Sequence, residues 1–147
     1  MTITIEQLQL DELNAFLHIQ AEDAFPDLKD EKRLKMLACK WHEFAEFCTF
    51  RDNDNRLAGM IAFYANQPKG GVAYISHVYV SKGYRGQGIF TKLIDTVVEF
   101  VKERDFCHIR LEVHKNNLIA QKAYQNYGFI PVGNASETSI YMNYNIS

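Results

Sequence analysis

A chain of 147 residues, 47% hydrophobic and 23% charged, has the size and balance of one folded domain and excludes a disordered or membrane-like chain. Its formal net charge of -2 and pI of about 6.2 give no overall pull toward nucleic acid or an anionic membrane, so any anion site has to be built locally. No run reaches the ~18 apolar residues of a membrane helix, and MTITIEQLQLDEL lacks a basic segment followed by an apolar one, so a cytoplasmic monomer or homodimer is expected.

Thr2 to Leu10 alternates Ile3, Ile5 and Leu8 with polar residues and predicts an opening strand. Asp11 then serves as the expected N-cap of a helix carrying Leu13, Phe16, Leu17 and Ile19. Pro26 interrupts before a second helix with Leu34, Leu37, Ala38 and Trp41 on one face, while Arg33, Lys35, Lys40 and Glu31 face water. Glu46 to Arg51 and Arg56 to Ala65 flank Asp52 to Asn55, a turn sequence suited to a hairpin because Asp and Asn tolerate left-handed backbone. Gln67 to Gly71 predicts the next turn. Cys39, Cys48 and Cys107 are odd in number and set among apolar residues, which points to small buried thiols rather than disulfides.

Val72 to Val80 predicts a strand rich in β-branched and aromatic residues, feeding directly into SKGYRGQGIF. A helix follows, with Ile89, Phe90, Leu93, Ile94, Val97, Val98 and Val101 in one apolar stripe. Phe106 to His114 alternates, placing Ile109, Leu111 and Val113 on one face and Arg110, Glu112 and His114 on the other. A short helix from Asn117 to Tyr127 ends at Gly128, and strands are expected at Phe129 to Val132 and Thr138 to Ile146. The order β-α-α-β-β-β-α-β-α-β-β predicts one α+β (α/β-like) domain over residues 1–147, with a central mixed, mostly antiparallel sheet flanked by helices.

The turn at Gly83, Gly86 and Gly88 outlines an anion cradle, because glycine permits left-handed or crowded backbone and the first amides of the next helix then converge on one point. A Walker loop would need Lys and then Ser or Thr where Ile89 and Phe90 stand, and the spacing of GYRGQG departs from the dinucleotide fingerprint. WHEF is not HExxH and no GxSxG occurs, so neither a zinc-protease helix nor a serine elbow is expected, and no metal is called for.

Arg85-Gly86-Gln87-Gly88 after Tyr79-Val80, with NLIAQKAYQNYGF downstream, resembles the GNAT superfamily of N-acetyltransferases. That family's loop is written Q/R-x-x-G-x-G/A, and its later segment N-x-x-A-x-x-x-Y-x-x-x-G-F is matched by Asn117, Ala120, Tyr124, Gly128 and Phe129. The likeness covers roughly Ala73 to Val132; Phe90 stands where the family's loop ends in Gly or Ala. Because Phe90 belongs to the apolar stripe, its ring is expected to turn inward and leave the cradle open.

The resemblance implies that acetyl-CoA is the acetyl donor, with Val78, Val80, Arg85, Gly86, Gln87, Gly88, Ile89, Phe90, Asn117 and Tyr124 as its contacts. Arg85 and the amides of Gln87 to Phe90 would meet the pyrophosphate, helped by Lys82 and Lys92. The strand ending at Val80 would part from the Ile109-to-Val113 strand, so that backbone groups of Val78 and Val80 pair with the pantetheine amides, and an amide near Val78 would face the thioester carbonyl.

Tyr124 takes the place of the family's acid, a phenol that is protonated at neutral pH and able to hand its proton to a leaving thiolate; on the residues alone it also suits an apolar helix face. Ser76 and His77 occupy places where many relatives carry acids. His77 is a candidate base or a strand histidine satisfied by one hydrogen bond, and Glu112 and His114 are weaker candidates for the base. Phe25, Pro26, Trp41 and Phe44 wall an acceptor site or pack in the core. The expected activity is direct acetyl transfer to a primary amine of a small molecule or a peptide or protein N-terminus in a ternary complex. A non-catalytic acyl-CoA-binding or sensing module of the same fold is the alternative.

Overall fold

The computed structural model describes residues 1–66 and 71–146. In chain order its elements are β1 (Thr2–Glu6), α1 (Leu10–Asp23), α2 (Glu31–Phe44), β2 (Glu46–Arg51), β3 (Leu57–Tyr64), β4 (Val72–Val80), α3 (Ile89–Glu103), β5 (His108–His114), α4 (Leu118–Tyr127), β6 (Ile130–Asn134) and β7 (Ser139–Asn145). Short 3₁₀ turns at Pro26–Lys29 and Lys82–Tyr84 precede α2 and α3. The expected order of elements is therefore observed. The strands form one mixed sheet in the order β1-β2-β3-β4-β5-β7-β6. Pairing is antiparallel in β1–β2, β2–β3, β5–β7 and β6–β7, and parallel in β4–β5. No helix among the described residues is long and apolar enough to cross a membrane.

Contacts group the chain into two compact units, Met1–Phe63 with His77–Val97, and Tyr64–Ser76 with Val98–Ser147. In the first, α1 buries Leu13, Phe16, Leu17, Gln20 and Ala21, and α2 buries Leu34, Ala38 and Trp41. Phe47, Phe50, Met60, Ile61 and Phe63 of β2 and β3, with Leu93 and Ile94 of α3, complete its core. Each large side chain removed from water contributes about 1.5–3 kcal/mol, which is why a 14-residue amphipathic helix too short to persist alone is held here. The second unit buries Ala73, Ile75, Val101, Ile109, Leu111, Phe129 and Met142. The alternation expected of β5 is observed, with Ile109, Leu111 and Val113 inside.

Several local expectations are corrected. Gln9, not Asp11, is the N-cap of α1, and Asp11 lies in the first turn, where a carboxylate still meets the positive helix end favourably. β1 stops at Glu6, although Leu8 beyond it is buried. Ile19 is 57% exposed, and Gln20 takes the inward place. Cys48 is a buried thiol as expected, but Cys39 and Cys107 are exposed. The turn expected at Gln67 to Gly71 falls, up to residue 70, outside the described residues.

Candidate functional site: the glycine cradle and its surroundings

β4 runs from the second unit into the first and delivers the glycine turn at its end. Its parallel register with β5 extends from Val72 opposite His108 to Ile75 opposite Leu111, and the strand then continues as Ser76–Val80. Past Val80 the chain tightens: the Tyr84 amide donates to the Ser81 carbonyl at 2.9 Å and the Arg85 amide to the Lys82 carbonyl at 3.4 Å. Gly86 and Gly88 then adopt φ of +77° and +79°, left-handed values that an L side chain would strain against, although a Cβ at either would enter open space. The second of these glycines directly precedes α3, so the helix's first amides, which have no acceptor within the helix, follow it. A cavity of about 260 Å³ opens there, lined by Val80, Tyr84, Arg85, Gly86, Gly88, Ile89 and Phe90.

Phe90 does not turn wholly inward. It is half-buried and contributes to the cavity wall, whereas Ile89, Leu93, Ile94, Val97 and Val101 carry the buried stripe. Phe90 is the second residue of α3, and the inward direction at the helix start is already taken by Ile89. Gln87 turns its side chain back, donating from Nε2 to the Gly83 carbonyl at 3.2 Å.

Arg85 is engaged on its protein side. Its Nε donates to the Val80 carbonyl at 2.8 Å, its Nη2 donates to Asp23 Oδ2, and its guanidinium lies 5.6 Å from the centre of the Tyr79 ring. Asp23 also accepts from the Tyr79 hydroxyl at 2.6 Å. The bond from Tyr79, and then Arg85, holds the Asp23 carboxyl below its usual range, and burial beside that carboxylate pushes the Tyr79 phenol up to about 12. Asp23 is not among the residues expected at the site from the sequence. An acid in the last turn of a helix, at the wrong end of the macrodipole, was the available signal.

His77 is held in a nest of side chains. Its Nε2 lies 2.6 Å from Gln20 Oε1, and the Gln20 amide nitrogen donates to Met60 Sδ at 3.4 Å, which orients the amide and makes His77 Nε2 the donor. Phe25 and Trp41 approach the imidazole at 4.6 and 4.9 Å between ring centres. Desolvation brings its pKa down to about 4. The ring is therefore neutral at pH 7 and a weak acceptor for the proton of an alkyl ammonium. Trp41 is buried, Phe25 half-buried and Phe44 54% exposed.

In the second unit, Asn117 is the N-cap of α4, its Oδ1 accepting from the Ala120 amide at 3.1 Å. Gly128 closes the helix at φ +127°, its amide donating to the Tyr124 carbonyl at 3.1 Å. Tyr124 is half-buried, its ring 5.8 Å from that of Phe129, and desolvation pushes its phenol up to about 12. A phenol so raised stays protonated across the physiological range. Glu112 accepts from Ser139 Oγ at 2.5 Å, and His114 Nδ1 accepts from the Asn116 amide at 3.1 Å.

The sequence model of the Acetyltransferase (GNAT) family matches residues 10–129. The chain belongs to the GNAT family of acetyltransferases. Among curated relatives of this GNAT protein, streptothricin acetyltransferase A of Bacillus subtilis is 34% identical over 91 residues, covering 62% of this chain and 50% of that protein. A Bacillus subtilis protein assigned as a ribosomal protein bS18-alanine N-acetyltransferase is 26% identical over 130 residues, covering 88% of this chain and 82% of the other. The chain thus spans about half the length of the first relative and most of the second. A solved structure assigned as a streptothricin acetyltransferase from Bacillus anthracis, in complex with acetyl coenzyme A, superposes with TM-score 0.61 at 28% identity, covering 69% of this chain and 62% of that one.

Proposed function

We propose that this GNAT protein is an N-acetyltransferase that moves an acetyl group from acetyl-CoA to a primary amine by direct transfer in a ternary complex, residues 1–147 acting as one domain. The observation that carries this reading is the cradle itself: a strand end, two glycines at left-handed φ and a helix start bordering an open cavity, in a chain of this family.

The residues present suit a diphosphate. Open space beside Gly86 and Gly88 leaves room for phosphate oxygens, the amides opening α3 supply donors, and exposed Lys82 and Lys92 add positive charge. Acetyl-CoA, when bound, supplies a thioester as the acyl source. The short parallel register of β4 with β5 supports pairing of the pantetheine arm with backbone at Val78. At Val80 the carbonyl accepts from Arg85 Nε at 2.8 Å. Tyr124 is the proton donor to the leaving sulfur, a role that rests on its place in the family's second motif, its phenol being protonated at neutral pH. With His77 occupied by Gln20, the amine's proton leaves to water rather than to an imidazole.

The acceptor is a primary amine on a small molecule or at a peptide or protein N-terminus, the two kinds suggested by the relatives' names. The test is a panel of streptothricin, alanine-initiated peptides and small amines incubated with acetyl-CoA, read as released thiol. Release that depends on both substrates is the expected result. Binding of acetyl-CoA without transfer to any member would instead favour the non-catalytic acyl-CoA sensor.

A further inference from the structure

We propose that Asp23 is a positioning residue for the coenzyme cradle, acting through Arg85; the inference rests on the acetyl-CoA reading above. Asp23 is the last residue of α1, where the helix presents unpaired carbonyls and a partial negative charge, and that last turn holds no basic residue. A carboxylate there is disfavoured by its own helix. Its compensation comes from outside, since Tyr79 Oη and Arg85 Nη2 both donate to Oδ2. Arg85 is in turn fixed at the Val80 carbonyl through Nε and lies against the Tyr79 ring. One carboxylate oxygen therefore ties together the end of α1, the end of β4 and the residue that opens the cradle.

Two effects of Asp23 on an anion in the cradle oppose each other. Its charge repels phosphate, while its bonds hold Arg85, and with it the turn leading to Gly86 and Gly88, in one geometry. The Asp23 side chain is 21% exposed and that of Arg85 44%, so water screens the long-range repulsion, and the paired guanidinium cancels much of it locally. Orientation is not screened. A guanidinium held at Nε and one Nη nitrogen keeps its remaining N–H groups in a fixed fork, and a preorganised loop loses less entropy on closing around a ligand. Positioning therefore outweighs repulsion, and removing the negative charge should weaken coenzyme binding.

The experiment is titration calorimetry of coenzyme A and acetyl-CoA against the intact chain, Asp23→Asn, Arg85→Gln and the double variant. D23N should bind roughly tenfold more weakly, the size expected for losing one charge-assisted contact. The double variant should be no weaker than R85Q alone, and the KM for the acceptor amine should not move. A purely electrostatic neighbour would instead bind tighter on D23N, and a merely structural one would lower the melting temperature without changing Kd in the folded protein; either result overturns the proposal, as does an additive cycle. Should D23N prove too unstable to titrate, Asp23→Glu keeps the charge and moves it by one methylene, and unchanged affinity in that variant overturns the proposal as well. An unaltered protein that binds no coenzyme A at all refutes the acetyl-CoA reading itself, and with it this inference, before any variant is compared.

Discussion

At the scale of single residues, glycine and tyrosine carry the sharpest expectations. Gly88 is required for its backbone, not for want of room, because a Cβ there meets nothing within 4 Å while φ is +79°. Gly88→Ala should therefore cost about 1–2 kcal/mol of left-handed strain, or else shift the turn and loosen coenzyme binding; urea melts and calorimetry distinguish the two. Tyr124→Phe keeps the ring that meets Phe129 and removes only the hydroxyl, so turnover should fall by about 10²-fold or more with a small change in coenzyme affinity. Unchanged turnover would return Tyr124 to packing. Desolvation pushes the His77 pKa in the folded chain down to about 4 from its ordinary 6.5, so the unfolded chain binds the extra proton. Its contribution to stability is thus full above pH 6.5 and falls away as pH drops toward 4. In His77→Gln, the loss of urea resistance between pH 7 and pH 5 should be smaller than in the unaltered protein, and an identical pH dependence would remove His77 from this account.

At the scale of elements, the β1–β2 edge is held by more than its ladder. Arg51 on β2 donates from Nε and Nη2 to Glu6 of β1 at 2.9 and 3.1 Å, and from Nη1 and Nη2 to Glu12 of α1 at 2.8 and 2.9 Å. Thr49 adds its hydroxyl to Glu6. With its side chain only 12% exposed, Arg51 cannot be removed without leaving Glu6 short of a partner. Arg51→Met should lower stability by about 1–3 kcal/mol, read from the urea midpoint at constant slope. The sign for Glu6 follows from its lowered pKa, caused first by the Arg51 bond: this contribution holds above the ordinary carboxylate range and is lost as pH falls through the depressed value. The hairpin between β2 and β3 shows a similar economy of local chemistry, since Asp52 Oδ1 accepts from the Asp54 and Arg56 amides at 2.8 and 3.0 Å, and Asn55 takes φ of 63°.

At the scale of the whole molecule, a ligand that binds only the folded chain must raise its stability. Acetyl-CoA at a hundred times its Kd should add about 2.7 kcal/mol, which for a chain of this length raises the melting temperature by roughly 5–10 °C. NADH should give no comparable shift, and equal shifts from both would undo the coenzyme assignment. The order of elements, the alternation of β5 and the stripe of α3 were legible in the sequence because periods of 2 and 3.6 record directly which side chains leave water. The glycine turn was legible because left-handed backbone selects glycine, and the family because its two motifs lie in order on one chain. What tertiary structure alone decided are the partnerships between residues far apart in sequence: Gln20 with His77, and Asp23 with Tyr79 and Arg85. Periodicity shows that a side chain is inside, but the atom it meets there is set by how helices and strands cross, and no spacing along the chain encodes that distance.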